Sequence, residues 1–475
     1  MRLKKSLAII SSCLLLSTAC LTGCGTPSSF EPDETLIPTY EKTDEFRFVA
    51  YMSPPPANSG NGSWANNPNY MTLEHYQNMA DCGFNYATGI YENTKAQYIA
   101  GMDLAAQVGM KYYVRDYSFP DGSIEGIIAA TENKQDAEDL LAQYEDNIKA
   151  RFDEYMTHEG FGGILAIDEP STRKYESIAV MNEWYHKNYP TTEFQVNLLP
   201  TYATQAQLYG TNASDGKYAK DYVGSFNDIV NPQVLSYDHY ALSKSGTVNK
   251  ISTSYLRNLE IFAELSKSTG KPYYVFLLTL GHWDYRQPEY YRDIAWQVYT
   301  ALAYGAKGAQ TFTYWTNLVD DEAVGTALVD KNGNKMPSYY AMQEVTSEIR
   351  AMEHVYMNFN WQGTLPIVSN KYEGNDMYDY LDNALTQHSR ISSLSADQDA
   401  IVGAFKDKDG NDGFMLSNVT DPADNLTSNV TIGFNDADAV VVYKKGRTLI
   451  YGLKNGKTTI SLGSGEGAFI IPVKR

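Results

Sequence analysis

The stretch GGILAIDEPS, residues 162–171, sets six uncharged residues directly before two adjacent carboxylates and a proline. The uncharged run reads as a buried strand, which leaves Asp168 and Glu169 at its C-terminal end. Runs of the same short, β-rich kind recur on both sides: FRFVAYM (46–52), NYATGIY (85–91) and KYYVRDY (111–117) before it, then EFQVNLL (193–199), VLSYDHY (234–240), YYVFLLTL (273–280) and AQTFTYW (309–315) after it. With FGGILAI (161–167) they make eight.

Longer amphipathic segments alternate with these runs, the pattern of parallel strands with crossover helices. In TLEHYQNMADCG, Leu73, Tyr76, Met79 and Ala80 share one face, Thr72 is placed as N-cap and Gly83 as the stop. DAEDLLAQYEDNIKARFDEYMTHEG (136–160) is long and polar-faced. PEYYRDIAWQVYTALAYG (288–305) opens with Pro288 at a first-turn position, stops at Gly305, and carries Trp296 as packing. Eight such units over about 300 residues predict an α/β fold, a closed (β/α)8 TIM barrel, over residues 45–360. The competing doubly wound sheet wants a Gly-rich phosphate loop after the first strand, where MSPPPANSG stands instead.

After a last helix at 337–358 the texture changes to short alternating strands and turn signals, KDKDGNDG, FNDADA, KKGRT and LKNGKT. Residues 361–475 therefore read as a small C-terminal antiparallel β-sandwich, expected to cover and stabilise the barrel rather than to bind ligand. DKDGNDG (407–413) loosely has the spacing of a calcium loop, but a turn between strands is the simpler reading.

Hydrophobic residues at 43% and charged ones at 20% are ordinary for a globular chain. The balance of 38 Lys+Arg against 57 Asp+Glu, net −19, excludes the basic footprint of a nucleic-acid binder. Tyrosine is abundant at 38 residues, and amphipathic rings suit a surface that handles sugars. At the N-terminus Arg2, Lys4 and Lys5 precede the apolar run Leu7–Cys20, the order of a secretory signal, assigned to residues 1–23. Its removal takes three of the 38 positive charges and leaves −22. Past Cys24 the one cysteine is Cys82, so no disulfide framework is expected. Residues 24–44, rich in Pro, Ser, Thr and acids, read as a flexible tether.

Barrel enzymes carry their reacting groups at the C-terminal ends of strands. Here those positions hold Ser53, Tyr91-Glu92, Arg115-Asp116, Asp168-Glu169, Asn197, Asp238-His239, His282-Trp283-Asp284 and Tyr314-Trp315. Acids, aromatics and amides without a serine elbow or a Cys/His grouping point to acid–base chemistry on a polar ring-shaped substrate, with glycoside cleavage the natural candidate. That reaction needs a proton donor and a group facing the developing oxocarbenium charge. No metal or organic cofactor is assigned.

Two resemblances follow from these motifs. LTGC (21–24) resembles the lipobox of bacterial lipoproteins, which implies cleavage before Cys24, lipid on that cysteine as the membrane contact, and an exported chain anchored to the bacterial membrane outside the cytoplasm. GILAIDEP resembles the fourth strand of clan A (β/α)8 glycoside hydrolases, of the family 42 and family 5 types, in which an Asn-Glu-Pro carries the acid/base; Glu169 matches that glutamate. QPEYYRDIAWQVYTALAYGAKGAQTFTYW is similar to the last βα unit of such barrels, and the likeness covers residues 46–358.

The match departs in two places. Asp168 stands where clan A has an asparagine that binds a sugar hydroxyl, and an adjacent acid raises a proton donor's pKa. YYVFLLTLGHWDY has no glutamate to serve as the seventh-strand nucleophile, only Asp284. Asp238 of LSYDHY is therefore the preferred second carboxylate, across a gap wide enough for an activated water. The Asp168-Glu169 pair also resembles family 20 hexosaminidases, which implies substrate assistance by an N-acetyl group. SYDHY is similar to the sixth strand of family 18 barrels, but Ile167, Leu165 and Ile164 replace that family's acids.

The expected site is thus Glu169 as proton donor, Asp238 and Asp168 beside it, and a carbohydrate lined by Tyr91, Asp116, Asn197, Tyr237, His239, Trp283, Tyr314 and Trp315. Each has a blander role to set against it. Asp168 can cap the helix near Ser171, Asp116 can pair with Arg115, Asp238 can be structural, and His239 and His282 can be wall residues. A monomer is expected. The rival to an enzyme is a non-catalytic glycan-binding lipoprotein that kept the barrel and lost its nucleophile.

Overall fold

The computed structural model describes residues 33–119, 122–319, 324–369 and 376–475. The signal, Cys24 and the start of the tether lie outside them. Eight parallel strands close into a barrel in chain order: β1 (Arg47–Tyr51), β2 (Tyr86–Thr88), β3 (Lys111–Val114), β4 (Phe161–Asp168), β5 (Glu193–Leu198), β6 (Leu235–Asp238), β7 (Tyr273–Leu278) and β8 (Gly308–Phe312). β8 returns to β1 with Arg47 opposite Gly308.

The opening stretch shows why the fourth strand sits as it does. Gly163 has φ +138°, and a Cβ there would lie 2.2 Å from the Glu193 carbonyl oxygen, so only glycine lets β4 lie this close to β5. A bulge between Leu165 and Ile167 then shifts the pairing and brings Asp168 opposite Asn197.

Helices surround the barrel. Thr72 caps Leu73–Asp81 by accepting from the His75 N–H, as the sequence predicts. The helix expected from Pro288 begins three residues later, at Tyr291, because the Asp293 carboxylate takes the backbone N–H groups of Glu289 and Tyr290 and fixes the first turn there. Trp296 is fully buried, as its packing role requires.

The C-terminal strands form a six-stranded and a three-stranded antiparallel sheet. In strand Ala400–Lys406, Val402 and Ala404 face the small core between the sheets, while Ile401 and Phe405 join the main core. Period-2 alternation with both faces apolar thus welds the sandwich to the barrel. Tyr356, at the end of helix Pro337–Tyr356, meets Phe405 and Phe469 at ring distances of 5.7 and 5.8 Å. Asp407 of the DKDGNDG stretch spends its carboxylate on the N–H groups of Asp409 and Asn411 in a turn between strands.

The tether departs from expectation. Residues 33–44 are laid on the domain: the Tyr40 hydroxyl donates to Asp407 at 3.0 Å, its ring stacks edge-on to Phe359, and Asn358 donates to the Glu41 carbonyl. Two of its apolar residues, Ile37 and Tyr40, pack on the main core. Composition registers the polar majority and misses these two anchors.

Candidate active site

Four side chains meet at the C-terminal mouth of the barrel. Asn197 on β5 stands between β4 and β6, and its Nδ2 donates to Asp168 Oδ1 and to Asp238 Oδ1, each at 3.1 Å. Its Oδ1 accepts from Ser236, which in turn accepts from Gln310 on β8. The amide is therefore locked in one orientation by a chain of three buried polar groups. Glu169 follows β4 with φ +49°, its N–H bonded to the Asn197 carbonyl; the residue is exposed at the rim, but its carboxyl turns toward Asp168 and buried Asp238, where it is partly desolvated.

All three carboxyls are pushed above their ordinary pKa values. Burial is the first cause for each; Glu169 is raised further by the Asp168 charge, and Asp238 by Glu169 and Asp168. Arg115 and the Asn197 amide act against burial at Asp168. Like charges this close oppose one another's ionisation, so the three carboxyls titrate as a coupled group.

Backbone conformation marks the same rim. Most non-glycine residues at positive φ are Asn or Asp, which tolerate it, but Met52, Glu169 and Trp283 stand at φ +62°, +49° and +45° just beyond β1, β4 and β7. Such strain persists where the surroundings impose it, and it concentrates at functional sites. Trp283 is also 73% exposed, its indole resting on His282.

An aromatic wall that sequence reasoning passed over completes the mouth. Tyr240 packs against His282, Tyr285 and Phe312 at 5.5–5.7 Å, and Tyr285 donates to the Tyr202 hydroxyl at 3.0 Å. Tyr51 stands beside Phe276 and Phe312, and Arg115 reaches its hydroxyl.

Several expected site residues lie elsewhere. Tyr237 alternates with Ser236 and Asp238, so it points outward and stacks on Phe262 at 4.1 Å. Tyr314 and Trp315 fall beyond β8, which ends at Phe312; Tyr314 is buried against Phe84, and Trp315 against Tyr70 and His75. Asp116 pairs with Arg151 at 3.1 Å, not with Arg115, whose partner is Glu125. Burial nevertheless raises Asp116 to about 6. Tyr91 is tied to the loop after β8 through Asn317 and the Leu318 N–H. His239 is buried between Asn258 and Ser252 and pushed down to about 4 by desolvation, a wall residue behind Tyr202. Asp168 does not cap the following helix: Ser171 precedes that turn, without a side-chain cap bond. Among the described residues, no three His, Cys, Asp or Glu side chains form a set that could hold a metal ion.

The fold and this mouth define a (β/α)8 barrel with a carboxyl cluster at the end where barrel enzymes act. No family model and no curated protein matches the chain. Among solved structures it is similar to a family 39 glycoside hydrolase from Bacteroides cellulosilyticus WH2, at 11% identity over 90% of this chain and 81% of that one, TM-score 0.47. It is also similar to a GH30 endoxylanase from Clostridium papyrosolvens C71, at 11% identity over 91% and 98%, TM-score 0.42. A third is an Anoxybacillus alpha-amylase, at 10% identity over 90% and 98%, TM-score 0.48. These likenesses concern the course of the chain and say nothing of the residues at the mouth.

Proposed function

We propose that this protein is a glycoside hydrolase acting on an oligo- or polysaccharide, with Glu169 as general acid. The observation that carries the reading is the grouping of Glu169, its carboxyl raised by desolvation and by the Asp168 charge, with Asp168 and buried Asp238 around the Asn197 amide at the barrel mouth. A glycosidic oxygen leaves as an alcohol only if it is protonated as the bond breaks, and a carboxyl raised by burial and a neighbouring acid keeps its proton until then. Asp238, freed of its shared proton, becomes the carboxylate that faces the positive charge developing at the anomeric carbon. Asp168, fixed by Asn197 beside Arg115, sets the field on Glu169. Trp283 and the Tyr202–Tyr285 pair offer ring faces to the sugar.

A second reading rests on the closeness of the two carboxyls. Cleavage assisted by an N-acetyl group of the substrate needs Glu169 as acid and Asp168 or Asp238 to orient the amide, and no separate nucleophile.

Aryl glycosides with and without a 2-acetamido group, offered to the wild type, Glu169→Gln and Asp238→Asn, separate these readings. Turnover lost in Glu169→Gln supports the hydrolase. Turnover confined to acetamido substrates supports assistance, and glycan binding without turnover moves the protein to a non-catalytic role. The chain is taken to reach its substrate at the outer face of the bacterial membrane through lipid on Cys24, and labelling with a fatty-acid analogue that survives Cys24→Ala would refute that.

A further inference from the structure

The six-stranded sheet ends on strand Arg447–Gly452 and the three-stranded sheet on strand Lys457–Leu462. Between them lies a groove of about 540 Å³, into which Arg447, Leu449 and Tyr451 point from the first strand and Thr459 and Ser461 border from the second. We propose that this groove is a second carbohydrate site, distinct from the barrel mouth, that holds a uronate-bearing polysaccharide. The inference rests on the glycan reading of the barrel for the class of polymer, and on the groove's own side chains for its acidity.

Alternation sorts the two strands cleanly. Ile460 and Leu462 enter the core between the sheets, which leaves the hydroxyls of Thr459 and Ser461 outside it. Arg447, Leu449 and Tyr451 lie two residues apart on one face of the edge strand. Tyr451 is 36% exposed, enough to offer a ring face, and Leu449 beside it is half-buried against the core between the sheets. An amphipathic ring flanked by hydroxyl groups suits a sugar chain, whose faces are apolar and whose rims are hydroxyls.

Charge selects the kind of sugar. The chain has 57 acids against 38 bases, yet the groove is lined by Lys444, Lys445 and Arg447 and by no acid. Lys444 is committed to Glu466, and Lys445 to Glu344, Glu348 and Glu466. Arg447 has no carboxylate at ion-pair distance among the described residues, and its planar fork matches a carboxylate in two-point contact.

The test is affinity electrophoresis of the full chain through gels holding polygalacturonate or a neutral glucan, with Arg447→Ala, Arg447→Lys, Tyr451→Ala and the mouth variant Trp283→Ala. Polygalacturonate is expected to retard the wild type, with affinity falling roughly tenfold in Arg447→Ala and in Tyr451→Ala and less in Arg447→Lys, while Trp283→Ala, which removes only a contact at the mouth, keeps a retardation that the groove variants still weaken. Equal retardation by the glucan overturns the acidic class. Retardation that survives both groove variants, or that Trp283→Ala abolishes, overturns the site. Turnover of a small aryl glycoside is read in parallel: turnover without groove-dependent retardation sinks the groove alone, and the converse sinks the hydrolase reading alone.

Discussion

Asp168 and Asp238 are joined across β5 by the single amide group of Asn197, which donates to both, and Glu169 stands beside them as an exposed residue at the rim. The arrangement couples the three carboxyls, so changing one moves the proton affinity of the others.

Replacing Glu169 by Gln is expected to cut turnover by about 10²–10⁴-fold, the usual scale for losing a general acid. Asp168→Asn gives a finer check. Its negative charge is one of the causes that raise Glu169, after burial, so its removal lets Glu169 lose its proton at lower pH. The alkaline limb of the kcat/KM profile must therefore move to lower pH. A limb that stays in place, or moves up, would mean that Glu169 is not the titrating acid.

Stability should fall as pH rises through the neutral range. Glu92, buried beneath the mouth and hydrogen-bonded by Tyr112, is raised from 4.5 to about 7 by desolvation, and Asp116 from 3.8 to about 6. The folded state holds these protons more tightly than the unfolded chain, so it is favoured below the unfolded values and loses that advantage as pH climbs to 6 and 7. Melting temperature should decline between pH 5 and pH 8, by an amount equivalent to a few kcal/mol. Glu92→Gln should flatten the curve, because its amide can still accept from the Tyr91 N–H and meet the Tyr112 hydroxyl.

Two tryptophans that look alike at strand ends should behave in opposite ways. Trp315→Ala empties a fully buried site against Tyr70 and His75 and should cost roughly 3–5 kcal/mol in denaturant unfolding. Trp283→Ala removes a ring that is 73% exposed, so stability should hold within about 0.5 kcal/mol while KM for glycan rises. If Trp283→Ala unfolds the protein and leaves KM alone, its assignment to the substrate is wrong.

That contrast also shows how far the sequence could be read. The eight strands were legible because each is a short apolar run between amphipathic helices, and the Glu169–Asp238 pair because both acids sit where strands end. Strand ends themselves were less so. β8 stops at Phe312, and the chain beyond turns back to bridge Trp315 to Val329, which no local signal announces. Tyr237 neighbours the mouth in sequence, yet alternation with Asp238 turns it outward onto Phe262. Tyr202 and Tyr285, on loops and hidden among 38 tyrosines, had no spacing to single them out.

The seam between sandwich and barrel should depend on one lysine. Lys445 stands at φ +52° in the hairpin turn after strand Ala439–Lys444, and Gly446 follows at +66°, the pair of positive angles a two-residue hairpin needs. The turn drives its ammonium into a cluster of Glu344, Glu348 and Glu466, over the ring of Tyr291 at 3.3 Å. Glu348 has a side chain only 7% exposed and already accepts from Tyr291 and Tyr299, so its charge relies on Lys445. Lys445→Ala should leave that charge buried and unpaired and destabilise the protein by about 3–5 kcal/mol. Lys445→Ala with Glu348→Gln should recover much of the loss, since the double variant leaves no unpaired charge. Additive losses in chemical denaturation would mean that Lys445 and Glu348 do not act as a coupled pair.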